Sequence, residues 1–171
     1  YGYHSDVIGR LIEIASGMRT DDYLQQTIFG PLGMVDTGFF VPPEKFDRLV
    51  HAYDAQGKDI TATLMPLADW TARKPFQSNG GGLVSTAADW IRFTRMLLNG
   101  GSLEGVRILK FQSVAEMGRN QITREQGPLF WRDKPSPDAP GRFDGYGWGY
   151  GIGVRLEQGP WTMPGTPGEL F

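Results

Sequence analysis

The stretch SNGGGLVSTAADWIRFTRMLLNGG, from Ser78 to Gly101, constrains the fold more than any other part of the chain. Its three consecutive glycines oppose regular structure and make a loop. Thr86 can then cap a helix, with Asp89 three residues on in the position that closes a capping box. Trp90, Phe93 and Leu97, with their neighbours Ile91, Thr94 and Leu98, recur at helical spacing as one broad apolar face. Asn99, Gly100 and Gly101 end the helix. The chain must therefore build around a central amphipathic helix set between two glycine turns.

Two helices are expected upstream. The first is capped by Ser5 or Asp6, carries Ile8, Leu11, Ile12 and Ala15 on one face, and stops at Gly17. The second starts at a Thr20 cap with Asp21 and Asp22 well placed in its first turn, carries Tyr23, Leu24 and Ile28, and ends at Gly30-Pro31. The stretch from Gly33 to Phe40 is short and turn-rich. HAYDAQGKDI reads as a small hairpin turning over Ala55 to Lys58, and Leu64 to Gln77 is irregular. Downstream of the central helix a short helix is expected around Phe111 to Met117. QGPLFWRDKPSPDAPGRFDGYGWGYGIGVRL is then too poor in periodicity for a helix and closes in strand-like GIGVRL.

Composition narrows the class of partner. A net charge of -2, with 40% apolar and 21% charged residues, gives no electrostatic footprint for nucleic acid or an anionic membrane. A small molecule or a protein is the expected partner. A chain of 171 residues buries about two thirds of its unfolded surface as one domain. No run of about 18 apolar residues offers a membrane span and no signal peptide opens the chain, so it reads as soluble, with its compartment open. There is no cysteine, which removes disulfides, thiol nucleophiles and thiolate metal sites. The 24 glycines and 12 prolines are unusually many. The chain opens on tyrosine and stops at GTPGELF, an apolar ending able to enter a strand, so both ends read as cuts.

Familiar nucleophile motifs are absent from these residues. No serine has glycine two places away on both sides, and none has lysine three residues later. His4 and His51 are the only histidines and stand 47 positions apart, so no metal is expected. DAQGKD offers only two carboxylates where a calcium loop needs several oxygens, and reads as a turn. NGGGL could cradle a phosphate on its backbone N–H groups, but it lacks the P-loop lysine; a tight turn feeding Thr86 is the simpler reading. Phe130, Trp131, Tyr146, Trp148 and Tyr150 could line an apolar pocket, though core packing accounts for most of them.

Three stretches taken in order resemble one family, the serine β-lactamase and penicillin-binding-protein-like hydrolases of the class C type, especially their esterase branch. YGYHSDVIGRLIEIASG resembles that family's tyrosine motif and the helix after it, IFGPLGMVDTGF its following loop, and NGGGLVSTAADWIRFTRMLLNGG with GVRIL a later loop and helix. The resemblance runs nearly end to end. It implies an α+β fold of the β-lactamase/transpeptidase type, here mostly its helical domain with a few short strands. Residues 1–171 would form a single partial domain lacking the upstream serine-lysine helix and the downstream closing strand.

The resemblance also implies a chemistry. In the family, a serine on an S-x-x-K helix is acylated by an ester or lactam while a tyrosine assists proton transfer. That tyrosine falls on Tyr1, as general base and acid. A phenol ordinarily titrates near 10 and needs a nearby ammonium to exchange protons at neutral pH; the absent lysine would supply it. Tyr3, Gly81 and Trp148 would lie near the acyl or alcohol pocket. Tyr3 stands where lactamases carry an amide-binding asparagine, and Gly81 where they often carry a tyrosine that walls the pocket. Both departures favour an ester, or less so a lactam or peptide, as the small-molecule substrate. No cofactor is implied. The isolated chain is expected to be inactive without the missing segments of its parent. The competing reading is a non-catalytic binding or structural module on the same scaffold.

Overall fold

The computed structural model describes residues 3–64, 70–123, 126, 145–158 and 164–171. They fall into two compact units, Tyr1–Met96 with Leu103–Ile108, and Leu97–Ser102 with Leu109–Phe171.

The first unit opens with α1 (His4–Ser16). Tyr3 occupies the position before the helix and makes no side-chain cap; Ser5 and Asp6, expected as caps, lie inside the first turn. Asp6 is drawn away because its carboxylate bonds a loop more than seventy residues on, at Ser78 and Asn79. Gly17 ends α1 at φ 70°, in the left-handed region that glycine adopts without strain. The apolar face expected on α1 points outward: Ile8 and Leu11 are exposed, as are Val7 and Ile14, and Gly9 is its one buried residue.

The second helical stretch starts one residue earlier than a Thr20 cap requires. Arg19 takes the cap position and Thr20 is the first residue of α2 (Thr20–Leu24), fully buried, with its hydroxyl donating to the Gly9 carbonyl at 3.2 Å. Asp21 and Asp22 lie in the first turn as expected. The stretch does not stop at Gly30-Pro31. A π turn over Gln25–Phe29 carries it into α3 (Gly30–Leu32), which ends at Gly33 with φ 65°. The wide turn lets the Gly30 N–H reach the Gln25 carbonyl, and a Cβ on Gly30 would lie 2.8 Å from that oxygen. Pro31 is tolerated because it falls in the first turn of α3, where its missing N–H costs nothing. This stretch supplies core: Phe29 and Leu32 are buried, with Met34, Phe39, Val41, Met96 and Leu103 from the same unit.

Beyond it come a 3₁₀ turn (Pro43–Arg48) and the expected hairpin, reduced to a single antiparallel bridge between Tyr53 and Asp59. Asp54 organises its turn by accepting from the Gln56 and Lys58 N–H groups. A short α4 (Thr61–Leu64) follows, just ahead of the stretch read as irregular. The central helix α5 (Ala87–Leu98) is capped as expected, the Asp89 N–H donating to Thr86 Oγ1. Its inward stripe is offset from the expected face. Asp89 and Met96 are buried, while Trp90, Ile91 and Leu98 are exposed. Polar anchors set this rotation: the Asp89 carboxylate accepts from the Asp36 N–H and Thr37 hydroxyl, and Arg92 bonds the Leu32 carbonyl and Glu104.

After α5 two-residue strands β1 (Ser102–Leu103) and β2 (Val106–Arg107) form a hairpin. In the second unit α6 (Phe111–Met117) stands where expected. Strands β3 (Tyr146–Trp148) and β4 (Gly153–Arg155) pair antiparallel, Gly147 opposite Val154. The GELF ending runs beside β4, with Gly153 and Phe171 exchanging both backbone bonds at 3.0 Å. Arg155 is buried there between Glu169, at 3.1 Å, and the face of Tyr146. Among the described residues no helix is long and apolar enough to cross a membrane.

Candidate active site

The site begins with how α1 holds the glycine loop. Asp6 Oδ1 accepts from Ser78 Oγ at 3.0 Å and from the Asn79 N–H at 2.8 Å. The next inward position on the helix is Gly9, where a Cβ would come within 1.9 Å of the Asn79 side-chain amide. The loop thus lies on bare helix backbone. A second set of bonds fixes the approach to this loop: Gln77 accepts from the Asp21 N–H, Arg73 pairs with both Asp21 and Asp22, and Arg19 donates to the Lys74 and Pro75 carbonyls. Burial pushes the Asp21 carboxyl up, but its bonds to Arg73, Gln77 and Arg19 outweigh that and hold it well below the usual carboxylate range. Loop 73–82 is therefore clamped to α1 and α2 at several points.

Of the residues singled out by sequence, Tyr1 lies outside the described residues, as do Phe130 and Trp131. Tyr3, at the head of α1, is 86% exposed. Gly81 is exposed, and a Cβ there would meet nothing within 4 Å. The Asp6 bonds place the helix that Tyr3 heads and the loop that carries Gly81 in one clamped assembly. Trp148 belongs to the second unit. It is half-buried on β3, its N–H donating to Asn120 Oδ1 at 2.9 Å and its carbonyl accepting from Gln121 at 2.7 Å. A cavity of about 400 Å³ in the first unit, lined by Phe29, Phe39, Phe40, Asp21, Asp22 and Arg73 among others, includes neither Tyr3 nor Gly81.

Sequence reasoning takes Asp6 only as a candidate cap and Asn79 only as part of the NGGGL turn, and gives no role to Gly9 or Ser78. One signal was present. A glycine in the second turn of a helix costs about 1 kcal/mol relative to alanine, so Gly9 asks for a packing reason. Among the described residues no group of three or more His, Asp or Glu side chains is placed to hold a metal ion.

The profile of the family named Beta-lactamase matches residues 2–168, across both units. This chain belongs to the Beta-lactamase family. Its architecture is accordingly the β-lactamase/transpeptidase-like α+β fold, seen here as helices with a few short strands. An uncharacterized protein of Mycobacterium tuberculosis is 33% identical over 137 residues, 77% of this chain and 34% of that protein. Penicillin-binding protein 4 of Amycolatopsis lactamdurans is 32% identical over 117 residues, 68% of this chain and 30% of the relative. Among solved structures EstCE1, described as a hydrolase with promiscuous acyltransferase activity, shares the fold at a TM-score of 0.70 and 21% identity, over 98% of this chain and 43% of that one. The β-lactamase-family chain thus spans about a third of the length of these curated relatives.

Proposed function

We propose that the protein carrying this chain is a serine hydrolase that cleaves a small carboxylic ester through an acyl-enzyme. The nucleophilic serine and its lysine would stand on a segment outside these 171 residues. Tyr1, as phenolate beside the lysine ammonium, would take the proton of the serine hydroxyl as its oxygen attacks the ester carbonyl, then hand that proton to the departing alcohol. Water would release the acyl group by the same route in reverse.

Membership of the Beta-lactamase family supports acyl transfer in general. One observation favours an ester over a lactam: position 81 offers no side chain and faces open space, where a wall would confine a bulky bicyclic acyl group. Tyr3, in place of an amide-binding asparagine, agrees with this. The test is a stopped-flow burst assay of the full-length protein with p-nitrophenyl acetate and butyrate, beside a chromogenic cephalosporin. A burst with the esters, turnover at least about 100-fold faster than with the lactam, and loss of about 100-fold or more in kcat for Tyr1→Phe are expected. Gly81→Tyr should lower kcat/KM for butyrate more than for acetate. Faster lactam turnover would overturn the ester reading, and no acyl-enzyme with either substrate would favour the non-catalytic module.

A further inference from the structure

The glycine turn that carries Gly81 is organised by a single carboxylate on α1. Asp6 Oδ1 takes both the Ser78 hydroxyl, at 3.0 Å, and the Asn79 N–H, at 2.8 Å. Ser78 passes this hold on. Its Oγ accepts from the Gly80 N–H at 3.4 Å and its carbonyl from the Gly82 N–H at 2.8 Å, so both flanks of Gly81 hang from one serine. A Cβ on Gly82 would come 2.5 Å from that carbonyl, and one on Gly9 would strike Asn79. The turn is therefore tight, and it is seated on α1 by close backbone approach.

Asp6 lies in the first turn of α1, where its charge also suits the helix dipole. It caps no helix end, and among the described residues it forms no salt bridge. A half-buried carboxylate spent on two loop donors, with no ion pair among the described residues, sets a geometry.

We infer that Asp6 is a positioning residue: it fixes the backbone of Gly80 to Gly82, and so the open edge of the acyl pocket at Gly81, against the start of the tyrosine-motif helix. This rests on the hydrolase reading above. Without the carboxylate, the Ser78 hydroxyl and Asn79 N–H lose their acceptor and the glycine turn shifts relative to α1. A displacement of about 1 Å at a reacting centre can cost about 100-fold in rate.

The test compares full-length variants with p-nitrophenyl acetate and butyrate. Asp6→Ala should lower kcat by about 10- to 100-fold and change the butyrate-to-acetate ratio of kcat/KM by about 5-fold or more, because the pocket edge and not only the fold has moved. Asp6→Asn keeps an acceptor oxygen and should recover to within about 5-fold of the parent. Gly9→Ala changes no charge yet unseats Asn79, so it should reproduce the Asp6→Ala ratio, and adding Asn79→Ala should restore it. If Asp6→Ala does not fold, the Gly9→Ala pair carries the same test. An unchanged acyl ratio in Asp6→Ala and Gly9→Ala overturns the inference. Should the parent hydrolyse no ester, the hydrolase reading fails first. Amide exchange at Asn79 to Gly82 then reads the latch alone: faster exchange in Asp6→Ala keeps it, and unchanged exchange removes it.

Discussion

Helix α1 and the stretch from α2 to α3 lie side by side in sequence and hold their places by opposite means. The second stretch buries Thr20, Phe29 and Leu32 and contributes to the apolar core. Helix α1 buries Gly9 alone, leaves Val7, Ile8, Leu11 and Ile14 exposed, and is fastened by polar bonds at Asp6 and at the Gly9 carbonyl. Amphipathicity alone does not say which face a helix turns inward. In α1 a carboxylate and a bare glycine took the inward side because a neighbouring loop needed them.

The sharpest way to break this contrast is to truncate one leucine on each side of it. Leu32→Ala should cost about 3 kcal/mol in urea denaturation, while Leu11→Ala should cost under about 0.5 kcal/mol. Equal losses would dissolve the distinction. Next, Thr20→Val removes the hydroxyl that ties α2 to the Gly9 carbonyl and leaves the buried volume nearly unchanged. A loss of about 1–2 kcal/mol is expected, and no loss would mean that apolar contact alone joins the helices. The smallest effect concerns Asp21. Asp21→Asn should cost about 1 kcal/mol or less at neutral pH, since Arg73 is partly exposed. The pH dependence is more telling. The native Asp21 carboxyl sits below its unfolded value of about 4, so its stabilisation is complete above that pH and lost as pH falls beneath it. Urea midpoints measured from pH 6 to 2 should fall less steeply in Asp21→Asn than in the parent.

Several local signals were legible in the sequence, though the second helix neither took Thr20 as its cap nor stopped at Gly30-Pro31. The Gly17 stop, the Thr86 cap and the helix at Phe111 to Met117 follow from neighbours a few residues apart. The clamp was not legible, because Asp6 and its partners at Ser78 and Asn79 are separated by more than seventy residues. An aspartate in a first helical turn reads equally well as a cap or a dipole partner. The rotation of α5 was missed for the same reason: Asp89 looked like part of a capping box, yet its carboxylate turns to Asp36 and Thr37 and carries Met96 inward with it. Of the site, the motifs and their order were visible in the sequence, whereas the contact that joins two of them exists only once the chain has folded.

The π turn at Gln25–Phe29 bears on how this chain should be matched to others. At about 100° per residue, an uninterrupted helix would set Phe29 roughly 180° away from Thr20. A turn holding one additional residue takes back about 100° of that phase, which lets Thr20, Phe29 and Leu32 all be buried. A homologue with a plain α-helix here would reach the same burial with one residue fewer. Its correct alignment would then carry a gap between Gln25 and Phe29, inside a helix, where a gap is ordinarily taken for an error.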